Sequence, residues 1–263
     1  MFDRVVVEQS LGLVIDIYKS FREELLSSYG HVDFVLKADN SQVTELDLRI
    51  EKTLKQKLGV AYPQFGFRGE ETGIEGSTDS FWLVDPIDGT SSFIRGLANC
   101  TNMAALIIDR KPVATVIYNF VTDELYTAID GEGAYKNSQR IHVSERLVKG
   151  SLVECFNPDS YAAVRTILRP LWTRTYSSLG AAGHTFSCIA EGKYDGAINI
   201  GIGASMHDIV PGMLLIKEAG GEVVSFDTAD EWDIDTEQFF VGTPPLAAVF
   251  RENADQLKAE FNS

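Results

Sequence analysis

Basic residues are scarce in this chain. Its 263 residues hold 23 Lys and Arg against 38 Asp and Glu, a formal net charge of -15 at pH 7. That imbalance repels phosphate backbones and anionic bilayers, so neither nucleic acid nor a membrane is expected as a partner. Cysteine is sparse as well. Cys100, Cys155 and Cys188 are odd in number and widely spaced, which excludes a disulfide framework or thiolate metal site and suits a reducing cytoplasm. None has an arginine six positions later, so the cysteine-phosphatase loop is missing. No apolar run nears the length that spans a bilayer. Asp3 and Arg4 interrupt the start before any apolar core forms, so no secretory leader is expected. What is present is an apolar fraction of 44%, with 15 Phe, 9 Tyr and 3 Trp, enough for one large domain or two closely packed small ones.

Val7, Leu11, Val14, Tyr18, Phe21 and Leu25 recur at steps of three and four, one face of an amphipathic helix that Gly30 is placed to stop. Val43, Leu46, Ile50, Leu54 and Leu58 mark a second helix with Thr44 as its N-cap. Short strands are expected at 65–67 and 81–84. Apolar runs at 102–108 and 113–119, joined by a hairpin, lead into a meander over 125–129, 133–136 and 140–143. From 151 the pattern alternates: strands at 151–156, 174–177, 196–200, 222–226 and 239–241, and helices at 160–171, 181–191, 209–219 and 246–261. The expected fold is α/β, a layered α+β body of alternating αβαβα layers. It has a mostly antiparallel N-terminal sheet and a smaller C-terminal α/β half. A division near Lys149-Gly150 would separate 1–149, carrying the main metal site, from 150–263, completing it.

The most informative stretch is Trp82-Leu83-Val84-Asp85-Pro86-Ile87-Asp88-Gly89-Thr90. An uncharged run reads as a buried strand and stops at two carboxylates, delivering them into a turn with exposed backbone. Hard divalent cations take carboxylate and carbonyl oxygens and retain waters and substrate phosphate oxygens. Other acids stand at element ends: Asp47, Glu70-Glu71 and Asp208. Each has a plainer explanation. Thr44-x-x-Asp47 is the capping-box spacing, Asp208 could cap the helix after it, Glu70-Glu71 could be a solvated loop, and Asp-Pro-x-Asp-Gly could be a simple turn. Singly these suffice; they do not explain an acid pair aimed out of a core strand.

The set resembles the inositol monophosphatase family. Val43-Thr44-x-x-Asp47, Gly69-Glu70-Glu71, Asp85-Pro86-Ile87-Asp88-Gly89-Thr90, and Asp208 ahead of Glu218-Ala219-Gly220-Gly221 occur in order over nearly the whole chain. The resemblance implies a cytoplasmic, lithium-sensitive phosphomonoesterase, dimeric as its relatives are, acting on a small phosphate ester with magnesium, or manganese as a substitute. It implies that Glu70, Asp85 and the Ile87 carbonyl hold one ion. Asp85, Asp88 and Asp208 would hold a second, and a third would lean on Glu70. Thr90 with Asp47 would orient the attacking water and Glu70 would help accept its proton, while Gly89, Thr90 and Ser91 would receive the phosphate. The substrate pocket would draw on the stretch 178–184, including His184.

Departures from the family pattern bear on substrate. His207 stands where a tryptophan is usual, either touching substrate or filling that space, and Gly201 stands where a glutamate meets inositol hydroxyls in relatives. Ser91-Ser92 replaces the common Thr-Asn. A histidinol-phosphate, fructose-1,6-bisphosphate or 3′,5′-bisphosphate nucleotide phosphatase would keep the same metal core, as would a regulatory protein working through partner contacts. Ile87 and Ser91-Ser92 argue against the nucleotidase. A haloacid-dehalogenase-type phosphatase needs one residue between its aspartates, not the two found here, and no Gly-Lys-Ser/Thr phosphate loop occurs.

Overall fold

The computed structural model describes residues 3–177, 181–201, 203–227 and 232–261. The chain opens with α1 (Arg4–Ser28), whose Val7, Leu11, Val14, Tyr18 and Leu25 face inward and whose N-terminus is capped by Asp3. A small hairpin, β1 (Val35–Leu36) and β2 (Gln42–Val43), leads to α2 (Glu45–Ala61). Val43, expected on the helix, instead pairs with Val35, because the capping box of Thr44 and Asp47 fixes the helix start after it. Next come β3 (Gly66–Gly69), β4 (Gly73–Glu75), β5 (Phe81–Asp88) and the single turn α3 (Thr90–Ile94). The expected meander follows as β6 (Thr101–Ile108), β7 (Lys111–Asn119), β8 (Glu124–Ile129), β9 (Gly133–Lys136) and β10 (Gln139–Ile141). These strands form a sheet in the order β10-β9-β8-β7-β6-β5-β3-β4, in which only β3 and β5 run parallel.

The second half runs β11 (Leu152–Cys155), α4 (Tyr161–Leu168), β12 (Arg174–Tyr176), α5 (Ala182–Ala190), β13 (Gly196–Asn199) and α6 (Met206–Glu218). It closes with β14 (Glu222–Ser225), β15 (Phe239–Gly242), α7 (Pro244–Glu252) and α8 (Ala254–Phe261). Its sheet, ordered β12-β11-β13-β15-β14, is parallel across β12, β11 and β13 and antiparallel beyond. Two helices fall short of their expected ends. α4 tightens into a 3-10 turn over Arg169–Leu171, since Pro170 has no amide to extend the ladder. The helix expected over 246–261 is broken at Asn253, whose side-chain amide donates to the Val249 carbonyl at 2.7 Å.

The pleat of β5 sorts its side chains between two cores. Trp82 and Val84 pack with α1 and α2, while Phe81 and Leu83 pack with α5 and α6. Burying each such side chain contributes roughly 1.5–3 kcal/mol. A third core lies under the small sheet, where Val153, Ile198 and Phe240 meet α4, α7 and α8. The layers therefore alternate αβαβα. Gly212 brings α6 against α5: a Cβ there would lie 1.8 Å from the Phe186 ring. That close approach sets where the N-terminus of α6, and Asp208 with it, meets the end of β5.

Candidate active site

The apolar strand continues past Val84 and does not stop there. β5 runs through Asp88, so Asp85 and Asp88 are strand residues, 1% and 5% exposed, and not members of an exposed turn. Residues three apart on a regular strand point to opposite faces. Here the register shifts: Asp85 lies opposite Met103 and Asp88 opposite Thr101, three steps on one strand against two on its neighbour. This bulge re-aims Asp88 to the side of Asp85. Pro86 suits the irregularity because it donates no ladder bond, and its carbonyl accepts from Asn102 Nδ2 at 2.5 Å.

Asp88 is held by Thr101 Oγ1 at 3.0 Å and by the amides of Ala182 and Gly183, at 3.1 and 2.8 Å, at the start of α5. Gly183 is needed for that approach, since a Cβ would sit 2.3 Å from Thr101 Oγ1. Asp208 lies in the first turn of α6, where Ser205 is the N-cap residue, so it is not the cap of its helix. Its carboxylate faces the acids of β5, with His207 Nε2 3.6 Å from its Oδ1. Oxygens of Asp85, Asp88 and Asp208 lie within 4.8 Å of one another.

Asp47 makes both halves of the capping box, accepting from the Thr44 amide at 2.9 Å, and so has a structural duty. Its second oxygen nonetheless lies 3.3 Å from Thr90 Oγ1, which is also 2.9 Å from the Ile87 carbonyl, so the one hydroxyl proton has two alternative acceptors. The capping role and the placement beside Thr90 coexist. Glu70 follows β3, and its amide donates to the Val84 carbonyl, extending the parallel pairing to a point beside Asp85. The turn after it is tied down by buried Glu51, which accepts from the amides of Glu71 and Thr72. Lys37, from the β1–β2 hairpin, donates to Glu70 at 2.7 Å and to Glu71 at 2.8 Å.

Burial and crowding set the electrostatics. Loss of solvent pushes Asp47, Asp88 and Asp208 up to about 7. Glu70 adds to this at Asp208, and Asp208 adds to it at Asp88. Asp85 is raised as well, by burial and then by repulsion from Glu70, Asp88, Asp208 and Asp47. Its Oδ1 is buried without a hydrogen-bond partner. An orphaned carboxylate oxygen among like charges fits a hard divalent cation, whose charge removes both penalties.

The acids open on a cavity of about 680 Å³. Glu70, Asp85, Ile87, Asp88, Gly89, Thr90, Ser91 and Asp208 are among its lining residues. Gly89 turns from β5 into α3 at φ +79°, a left-handed conformation that favours glycine. A Cβ there would also lie 2.9 Å from the Asn99 carbonyl. His184, Gly201 and His207 are not on this wall. His184 packs in α5 with Nε2 3.7 Å from Cys188 Sγ, and the Gly201 amide meets Gln238. His207 lines a neighbouring hollow with Arg68 and Glu237. Burial lowers the pKa of both histidines. The stretch 178–180 lies outside the described residues. The sequence reading missed Asn40, Ser41 and Gln42 from the β1–β2 hairpin, Arg95 after α3, and Asn199 at the end of β13, all on the cavity wall. Only the Asp39-Asn40-Ser41 turn composition signalled a loop there. Arg95 and Asn199 belong to no periodic or spaced pattern.

The profile of the inositol monophosphatase family matches residues 7–259. Inositol monophosphatase 1 of Solanum lycopersicum is 30% identical over 261 residues, covering 94% of each chain. Nus factor SuhB of Xylella fastidiosa is 31% identical over 203 residues, 74% of this chain and 73% of its own. Among solved structures, the extragenic suppressor protein suhB of Bartonella henselae has a TM-score of 0.82 at 27% identity, covering 95% of this chain and 98% of that one.

Proposed function

The chain belongs to the inositol monophosphatase family of metal-dependent phosphoric monoester hydrolases, and we propose that it hydrolyses the monophosphate of a small sugar or inositol with magnesium. The observation that carries this reading is the meeting of Asp85, Asp88 and Asp208, from two distant stretches of chain, beside Thr90 in one cavity. Glu70, Asp85, the Ile87 carbonyl, Asp88 and Asp208 would hold two or three ions, with Asp85 shared. Magnesium, when bound, lowers the pKa of a water and offsets the charge on the phosphate oxygens.

The remaining work falls to the chain itself. Ionised Asp47 accepts the Thr90 hydroxyl proton, which leaves the Thr90 oxygen to accept from a water and fix its orientation. Glu70 takes the proton that the water loses. The amides from Gly89 to Ser91 receive phosphate oxygens, with no side chain at Gly89 to block their approach. Asn40, Gln42, Arg95 and Asn199 face the alcohol portion and select it. Lithium inhibition, a homodimer and a cytoplasmic setting belong to the same reading; no helix among the described residues is long and apolar enough to cross a membrane.

A panel of phosphate esters assayed for phosphate release with and without magnesium tests it. Magnesium-dependent release from inositol or sugar monophosphates is expected. No metal-dependent release from any ester on the panel would refute it.

A further inference from the structure

A second cavity of about 680 Å³ shares no lining residue with the first. It is bounded by Tyr161, Arg165, Arg169, Trp172, Arg174 and neighbouring threonines, with no acid among the described residues of its wall. In a chain of net charge -15 this is an anomaly. Arg165, Arg169 and Arg174 are all exposed, and among the described residues none has an ion pair or a side-chain hydrogen bond. Trp172 is 74% exposed, yet it is held in place. Its amide donates to the Arg169 carbonyl at 3.1 Å and its carbonyl accepts from the Gly150 amide at 3.2 Å. Its backbone sits at φ +58°, a region disfavoured for a residue with a side chain. Lys149 Nζ lies 5.9 Å from the ring centroid, adding a fourth cation to the cluster. Tyr161 is fixed by its hydroxyl, which donates to the Thr175 carbonyl.

The cluster lies away from the acids. Arg174 begins β12 and pairs with Leu152 at the start of parallel β11, whose far end leads to Phe156 on the wall of the first cavity. Unpaired guanidinium groups match phosphate oxygens through paired N–H bonds. The exposed Trp172 indole, carried on a hydrogen-bonded backbone, offers a stacking face for a base. Two observations favour a short ligand over a polymer. The arginines are gathered in one cavity instead of a stripe, and beyond a Debye length of about 8 Å an extended polyanion meets only a net-acidic surface.

We propose that this cavity binds a nucleoside phosphate, its base stacked on Trp172 and its phosphates held by Arg165, Arg169 and Arg174. The probe is ADP, titrated against the full chain in chelator, so that the metal-free acidic cavity repels it, and read by tryptophan fluorescence. ADP should quench the emission, Trp172→Phe should remove the quench, and Arg169→Ala and Arg174→Ala should each weaken binding about tenfold. Rising salt should weaken binding too, while phosphatase activity stays unchanged in all three variants. The assignment is overturned if ADP produces no quench, or if Arg169→Glu combined with Arg174→Glu binds ADP as the parent does. Pyrophosphate binding as tightly as ADP would remove the stacked base. A single-stranded RNA oligonucleotide binding far more tightly than ADP would replace the small ligand with a polymer.

Discussion

The two cavities invert one another. One gathers carboxylates that are buried or half-buried, crowded and fixed by a strand bulge, a capping box and the amides of α5. The other gathers guanidinium groups that are exposed, unpaired and fixed only through the backbone around Trp172. Burial is the difference that matters. Desolvated like charges raise each other's pKa and demand a countercharge, so the acidic cluster is unfinished without a cation. Solvated cations cost the fold almost nothing, so the basic cluster reveals itself only through what it binds.

Single substitutions should expose this asymmetry. Asp88→Asn removes one carboxylate from the buried set; turnover should fall on the order of 100-fold or more and magnesium affinity should drop with it. Steady-state kinetics and calorimetric titration of magnesium check this, and near-normal activity would break the contrast. Asp47→Asn keeps the helix cap in shape but weakens the pull on Thr90. The expected loss is about 100-fold in kcat with KM little changed, measured across substrate concentration. Gly183→Ala drives a Cβ into Thr101 and Met103 and lifts α5 from Asp88. It should lower stability by about 1–3 kcal/mol, read from denaturant melts, with activity falling in parallel.

pH should separate the clusters without any substitution. Asp47, Asp88 and Asp208 are raised to about 7 in the metal-free fold, so between pH 4 and 7 the folded chain holds protons that the unfolded chain has released. Metal-free stability therefore falls as pH rises through that window. Added magnesium should reverse the trend, since it binds the deprotonated acids. Thermal melts at several pH values, with chelator and then with magnesium, check the sign. The smallest effect belongs to Arg169→Ala, which should leave both the melting curve and ester hydrolysis where they were.

The chemistry was more legible in the sequence than the geometry. The order of acids ahead of the Gly-Thr turn, and the Thr44-x-x-Asp47 spacing, marked the ligand candidates because each sits where a regular element ends. Composition could not show that β5 carries on through Asp88, because a bulge is a property of two strands and only one was being read. Asp208 looked like a cap because it stands near a helix start; the actual boundary lies three residues earlier, at Ser205. The substrate wall was the least visible part. Arg95 and Asn199 reach it through tertiary packing, Lys37 meets it only by way of Glu70, and His184, Gly201 and His207, chosen by analogy of position, are not among its lining residues.

Diffraction from crystals grown with manganese, recorded at the metal's absorption edge, would locate the cations themselves. Anomalous density among the carboxylates of Asp85, Asp88 and Asp208, with Glu70 on its flank, is the expected result. Density elsewhere, or none between those side chains at saturating manganese, would mean that the acids converge for some reason other than holding metal.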